Sequence, residues 1–341
     1  MVMKRNGYID FVKGIAMLLV LVGHAIQYCS GSEYFLRGEY YDNPLFRFIY
    51  TFHMPLFMAV SGYLLQQSLR HRSEIEVALR HLRQLGLPIL SFGLLAFGIK
   101  WVVSPIGNIG ECVKMLFHTC VGNLWFLWAL LYNQFLLLVI RRMNDRIWLY
   151  CIVGLVLYIV PDYNCLPARY TFLYPFLIAG YMVGKHMPFH GISMTGHKAN
   201  APIVTLLLYV LGLYITRTIL VDVWEWGLIG RLLHTMMNQL IALLALTWIL
   251  PLLYMVYKAF PAKRSVAFVM YVGQNSLGIY YCQTLIFILI SRICNHLPSL
   301  GIWGAIIGGV VITAECVLFS MWSKRYRVSR LLVFGLSDCD K

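Results

Sequence analysis

Two titratable side chains in the first apolar stretch of the sequence could do chemistry together. Lys13 and His24 are eleven residues apart, about three helical turns, so a helix places them on one face with roughly 16 Å between their levels. An ammonium group can bind phosphates or pair with Asp10, and a neutral imidazole can take a proton from a hydroxyl. The alternative is structural: Lys13 extends to a membrane edge and His24 caps the outer end of the helix.

His53 is a second candidate, because it stands close to a proline inside an apolar stretch. Pro55 leaves a backbone carbonyl without its helical partner, which favours a kink beside a cavity that His53 could face. His53 could equally form a hydrogen bond with another helix. Ser61 and Tyr63 could line the same cavity, although the pair Ser61-Gly62 is also typical of a small-residue packing surface.

Arg80 and Arg83 precede the third apolar stretch and lie three residues apart, on one face of a helix. Guanidinium groups bind phosphate oxygens in a forked geometry, so this pair could clamp a polyphosphate. The alternative is that both arginines belong to the positive flank on the inner side of a membrane.

Polar side chains also form stripes along two later apolar stretches. Arg231, His234, Asn238 and Gln239 share one helical face, and Gln283 lies in a similar polar series. Such a stripe lines a substrate pathway or forms hydrogen bonds between helices. No metal site is predicted, because the nine cysteines show no ligand spacing.

The elements that must hold these side chains are membrane helices. Of the 341 residues, 60% are hydrophobic and 12% are charged, a mixture that a soluble domain could not cover with polar surface. The fold class expected is all-α, in one domain over residues 1–341. Because a span needs roughly 20 apolar residues, ten transmembrane helices are predicted near residues 8–28, 44–66, 86–104, 122–140, 146–161, 170–184, 201–217, 228–257, 270–293 and 302–323.

The net charge of +14 reports membrane orientation. Most of the 28 basic residues fall on one side of the predicted helices, which is the positive-inside bias. We therefore expect both termini in the cytoplasm, with a short cytoplasmic tail after about residue 323. A nucleic-acid partner is not expected, because the charge forms no single patch. Nucleotide-binding, hydrolase and metalloprotease motifs are absent from the sequence.

Several blocks of the sequence, taken in order, resemble the acyltransferase-3 family. The first helix of that family has an Asp, a basic residue and Gly, then an apolar run that ends in His. Asp10, Lys13, Gly14 and His24 match that order. Later blocks of the family are matched by residues 52–63, 80–88, 123–127, 174–184 and 276–280.

The resemblance implies a multi-pass enzyme of the cytoplasmic (inner) membrane that moves an acyl group from acyl-CoA to a hydroxyl. Acetyl-CoA is the expected donor substrate, with no covalently bound cofactor. The acceptor implied is an envelope glycan or a lipid-linked sugar, such as an exopolysaccharide or a lipopolysaccharide. The competing hypotheses are a transporter of a glycan or small solute, whose polar stripes line a pathway, and a non-catalytic membrane scaffold.

The resemblance also assigns residues. His24 is the expected catalytic group, either as a base or as a transient acyl carrier, and Lys13, eleven positions earlier, is expected to be needed with it. Arg80, Arg83 and Asp10 are expected on the donor side. Side chains expected to line the acceptor site or a channel are His53, Ser61, Tyr63, Arg231, His234 and Gln283.

The sequence departs from the family pattern at two of these positions. The family usually has Arg where Lys13 stands, and Lys cannot grip two oxygens in a fork. The family often has His where Gln283 stands, and an amide does not titrate. Only a short tail follows Trp322, so we expect transfer directly to the acceptor, without an additional soluble domain.

Overall fold

A computed structural model of the chain describes residues 6–103, 108–159, 168–186, 200–218, 227–261, 263–293 and 301–336. Helices make up the secondary structure of these residues, which contain no strand. The helices are α1 (Gly7–Cys29), α2 (Ser32–Leu36), α3 (Pro44–Leu69), α4 (Glu74–His81), α5 (Leu87–Val103), α6 (Ile109–Gly122), α7 (Trp125–Met143), α8 (Ile147–Ile159), α9 (Ala168–His186), α10 (Asn200–Thr218), α11 (Gly227–Ala259), α12 (Arg264–Gln274), α13 (Ser276–Ile293), α14 (Gly301–Arg325) and α15 (Arg327–Phe334).

Six of these helices are long and apolar enough to cross a bilayer. They include α1, α3, α7 and α14, most of α11, and the stretch from α4 into α5. The other expected spans are also helical, but their helices are shorter or more polar. At 13 residues, α8 is about 20 Å long, less than the hydrocarbon core of a typical bilayer.

The helix α1 lies inside the bundle, where it packs against α3, α11, α12, α13 and α14. Its closest crossing is with α12 and uses two glycines. A Cβ atom on Gly14 would lie 1.9 Å from the carbonyl oxygen of Val269, and one on Gly273 would lie 1.8 Å from that of Asp10. The backbones of α1 and α12 are therefore in contact here, directly beside Lys13, the residue predicted to act with His24.

A second close crossing joins α3 to α9. A Cβ atom on Gly62 would lie 2.0 Å from the carbonyl oxygen of Leu177, and one on Gly180 would lie 1.8 Å from that of Ala59. The packing alternative for the Ser61-Gly62 pair therefore describes Gly62 correctly. This crossing holds the helix that carries His53 against α9.

Two segments differ from the sequence prediction: the ninth expected span is interrupted, and the expected tail is helical. The ninth expected span is two helices, α12 and α13, that break at Asn275. Asn275 is buried, and its side-chain amide donates to the carbonyl of Tyr271 at 2.7 Å, so protein groups surround this irregular backbone. The expected tail is also folded, because α15 follows α14 and buries Val333 and Phe334 against the bundle.

Candidate active site

His24 turns toward the inside of the bundle. Its ring contacts the edge of Phe287 of α13 with centroids 5.2 Å apart, and that of Tyr28, one turn along α1, at 6.2 Å. Val22 and Ile26, two residues to either side, lie on the opposite face of α1 and line an apolar groove of about 720 Å³ against α14. The imidazole therefore lies away from this apolar groove.

His53 approaches the same place from α3. Its Nδ1 bonds to the backbone carbonyl of Ile49 at 2.7 Å, and its ring lies 4.7 Å from that of Tyr50. Because a carbonyl only accepts, Nδ1 carries the proton and Nε2 is left as an acceptor in the neutral ring. His53 is buried and lies close enough to His24 for their charges to interact.

Gln283 completes the polar group from α13. Its side chain is fully buried and faces His24. Even so, no hydrogen bond of normal geometry is formed by Nδ1 of His24 or by either amide atom of Gln283 within the described chain. A buried polar atom without a partner costs about 1–3 kcal/mol. Three such atoms on facing helices mark a place where a bound polar molecule could be accommodated.

An aromatic cluster joins the two histidines on one side. Its ring contacts run from Tyr28 through Phe35 and Tyr40 to Phe46 and Tyr50, with centroid distances between 3.9 and 6.2 Å. The contacts begin beside His24 and end beside His53. The short segment between α1 and α3 is therefore fixed to both helices that carry an imidazole.

Within this cluster, Arg47 bonds to the carbonyl of Tyr41 and pairs with Asp42. Burial, and then neighbouring Tyr41, raises the pKa of Tyr40 to about 12. The Tyr40 phenol is therefore neutral at physiological pH and can act as a hydrogen-bond donor.

Asp10 and Lys13 lie at the other end of α1. Asp10 is buried, and its Oδ2 accepts a hydrogen bond from Nε2 of Gln274 at 3.0 Å. Gln274 is the last residue of α12, directly before the break at Asn275. The Lys13 side chain is partly buried and lies one turn after Asp10 on the same face.

Arg80 and Arg83 lie where α4 changes into a π-helical turn, Leu82–Gly86, before α5 begins. Both side chains are partly buried. A capping box between Ser73 and Glu76 starts α4, which gives this short helix a defined beginning. Single π turns occur frequently at functional sites because they change the direction of neighbouring side chains.

The remaining candidates lie apart from this group. Arg231 is exposed on α11, and His234 bonds to Asn238 of the same helix at 2.9 Å. Gln239 donates to the carbonyl of Phe172 of α9, which is the interhelical alternative for this stripe. Of the other two candidates on α3, Tyr63 is buried near Arg70 and Ser61 is partly buried.

The structure adds aromatic residues that the sequence reading did not select. Tyr28 follows His24 by four residues, and Phe287 follows Gln283 by four. Helical spacing was the signal that could have found them, because residues four apart are neighbours on one face. Among the described residues, no group of His, Cys, Asp or Glu is arranged to hold a metal ion.

A bundle of long apolar helices with two imidazoles and an amide brought together inside it defines an integral membrane protein with a candidate acid–base site. The chain belongs to the acyltransferase-3 family, because the acyltransferase domain of that family matches residues 6–321. The family assignment agrees with the motifs at Asp10–His24 and the blocks that follow.

Two relatives are nodulation proteins called NolL. The one from Mesorhizobium japonicum is 31% identical over 186 residues, which cover 53% of this chain and 48% of the relative. The one from Sinorhizobium fredii is 29% identical over 198 residues, 58% of this chain and 53% of the relative. The matched region thus spans about half the length of these curated relatives. No solved structure matches the chain.

Proposed function

We propose that this protein is an O-acyltransferase that moves an acetyl or other short acyl group from cytoplasmic acyl-CoA to a hydroxyl of an envelope glycan or lipid-linked sugar. Family membership supports acyl transfer. The observation that carries the proposal is the position of His24, inside the bundle, against Gln283 and within range of the charge of His53. The scaffold hypothesis does not account for a titratable ring and an amide placed against each other inside the bundle.

In the proposed reaction, the neutral His24 ring takes the proton of the acceptor hydroxyl as its oxygen attacks the thioester carbonyl. The tetrahedral intermediate collapses, the carbon–sulfur bond breaks, and the imidazolium returns the proton to the leaving thiolate. The products are the sugar ester and free CoA. Gln283 and His53 surround the reacting centre and can orient the hydroxyl or the carbonyl through hydrogen bonds.

In the proposed orientation, both termini lie in the cytoplasm and all ten expected helices cross or line the inner membrane. Lys13 then lies on the cytoplasmic side of His24, by roughly 16 Å along α1. Lys13, Arg80 and Arg83 would hold the phosphates of the donor, and Asp10 would hold α1 to α12 through Gln274. The acceptor would reach His24 from the side of the aromatic cluster.

The test is acetyl transfer by membranes that contain the protein, measured with radiolabelled acetyl-CoA and the native envelope glycans. His24→Gln removes the titrating group and should lower transfer by about a hundredfold or more. His118→Gln is the matched control, because His118 is an exposed histidine of α6. Its transfer should stay within about twofold of wild type, in line with other exposed substitutions.

Equal transfer by wild type and His24→Gln, at matched abundance in the membrane, would remove His24 from the mechanism. Movement of a glycan or solute across the membrane, without any transfer of label, would identify a transporter instead.

A further inference from the structure

The C-terminal helix α15 lies outside the residues that the family match covers, and it is firmly docked. Val333 and Phe334 are buried. Phe334 fills the space that a side chain on Gly278 of α13 would need, because a Cβ atom there would lie 2.4 Å from Cζ of Phe334. The Nζ of Lys324 lies 5.3 Å from the Phe334 ring, within range of a cation–π interaction.

The end of α15 rests on the π-helical turn that carries Arg83. Gly335 has a φ of +60°, and a Cβ atom on it would lie 2.4 Å from the carbonyl oxygen of Arg83 and the Cα of Gln84. Five residues after this turn, Ser91 of α5 donates to the carbonyl of Leu332 at 2.7 Å. Only glycine tolerates both this left-handed conformation and the close approach, so the contact is specific to the sequence.

The charge of this segment is of one sign. Between Lys324 and Gly335 there is no acidic residue, and the cations are Lys324, Arg325, Arg327 and Arg330. Arg330 precedes Phe334 by four residues and therefore shares the face that turns to the bundle. Its Nε atom is shielded from solvent, whereas Arg327 is exposed.

We propose that α15 forms part of the donor site, in which Arg330 binds phosphate groups of the coenzyme A thioester together with Arg83, and Gly335 positions the π-helical turn. The proposal rests on the proposed function. An anionic lipid surface is the other partner that such a cationic helix could bind. The observations favour the donor, because Arg330 lies on the inward face of the helix whose end, at Gly335, rests on the turn that holds Arg83. A lipid surface would instead meet the exposed Arg325 and Arg327.

The experiment compares Arg330→Gln with Arg327→Gln, two losses of one charge from the same helix. Binding of CoA to the purified full-length protein in detergent is measured by calorimetry, and acetyl transfer is measured in membranes over a range of acetyl-CoA concentrations. A charge-assisted hydrogen bond contributes about 1.5–3 kcal/mol, so Arg330→Gln should weaken CoA binding by about tenfold or more. The KM for acetyl-CoA should rise with it, with kcat changed less.

Arg327→Gln should leave CoA affinity within about twofold, and Arg330→Lys should recover part of the loss because it keeps the charge without the fork. Equal affinities for Arg330→Gln and Arg327→Gln would overturn this proposal while leaving the proposed function intact. A wild-type protein that neither binds CoA nor transfers acetyl groups would overturn both.

A measurement on the wild-type protein covers the case in which Arg330→Gln does not fold. Arginines are labelled with phenylglyoxal, with and without acetyl-CoA, and the peptides are read by mass spectrometry. Acetyl-CoA should reduce labelling of Arg330 and leave that of Arg327 unchanged. Labelling of Arg330 that is the same in both conditions would count against a place in the donor site.

Discussion

At the scale of single residues, Gln283 is the most informative side chain after His24. Family resemblance singled it out only as a departure from a common His, and the structure places it against the catalytic candidate. The sequence identified both positions because a polar residue inside a long apolar stretch stands out. The sequence could not show that α1 and α13 face each other, since 259 positions separate the two residues (283 − 24).

Gln283→Met tests whether this amide serves function at the expense of stability. Methionine has a similar length and removes both unpartnered amide atoms. We expect transfer to fall by about tenfold, the effect of one lost hydrogen bond in the transition state, while the free energy of unfolding rises by about 1 kcal/mol. Acetyl-transfer rates and thermal unfolding in detergent give the two values.

Leu285→Met serves as the control for Gln283→Met, because Leu285 is a partly buried residue of the same helix and Leu-to-Met exchanges are well tolerated. Leu285→Met should change the free energy of unfolding by no more than about 1 kcal/mol and leave the rate of acetyl transfer unchanged. A Gln283→Met protein that is both less stable and fully active would contradict the assignment.

At the scale of helices, close backbone crossings position the site. The sequence places Gly14 beside Lys13, but it does not show that α12 crosses α1 at this glycine. A glycine in an apolar stretch is compatible with packing against any neighbouring helix. Its partner Gly273 lies in a helix that ends at Asn275, and no proline marks that end. The break depends on contacts with Asp10 and Tyr271, one of them distant in sequence, so local propensity could not predict it.

Gly14→Ala should disrupt the crossing between α1 and α12. The new Cβ would collide with the carbonyl oxygen of Val269, which is backbone and cannot rotate away. We expect a loss of about 2 kcal/mol or more in the free energy of unfolding and a higher KM for acetyl-CoA, since Lys13 moves with the crossing. Thermal unfolding and transfer kinetics measure both effects.

For Gly14→Ala the matched control is Gly98→Ala. Gly98 lies inside α5, and a Cβ atom there meets nothing within 4 Å. Because alanine favours the helix over glycine, this change should be neutral or stabilising by about 0.5–1 kcal/mol. Similar losses for both glycines would show that the α1–α12 contact has no special role.

The connection between α7 and α8 gives a prediction for pH. Asp145 accepts hydrogen bonds from Tyr150, Tyr181 and Lys185. Burial raises the pKa of its carboxyl, but these bonds outweigh burial and hold the pKa below its usual range. A lowered pKa in the folded state means that the stabilisation is present at neutral pH and is lost as pH falls through the folded pKa.

Asp145→Asn should therefore lower the free energy of unfolding by about 2 kcal/mol at pH 7, and by progressively less as the pH is lowered. The measurement is thermal unfolding of both proteins between pH 7 and about pH 2, a range that passes below the ordinary pKa of an aspartate, about 3.9. A difference that stays constant over this range would show that the charge of Asp145 contributes nothing.

At the scale of the whole molecule, composition was sufficient for the helical class, and the residue blocks were sufficient for the family. Helix ends were harder to place. The segment after Trp322 is predicted as a short tail because it follows the last expected span. Its docking depends on the space over Gly278 and on the contact of Gly335 with Arg83 and Gln84, and all three of these partners are distant in sequence.

The charge distribution predicts the membrane orientation, and this prediction can be tested directly. With both termini in the cytoplasm, green fluorescent protein fused after Lys341 should fluoresce. Alkaline phosphatase inserted between Gly38 and Glu39 should be active, because that segment is then outside the membrane. The opposite pattern of reporter activity would reverse the membrane orientation and with it the side from which the donor enters.

The glycine crossing has one more consequence. Because backbone meets backbone at Gly14 and Gly273, α1 cannot slide along α12, and the distance of roughly 16 Å between the levels of Lys13 and His24 is fixed. In the proposed reaction, a donor whose phosphates are bound at Lys13 needs a long flexible arm to bring its reactive carbonyl to His24. A compact acetyl donor such as acetyl phosphate is too short to occupy both positions at once.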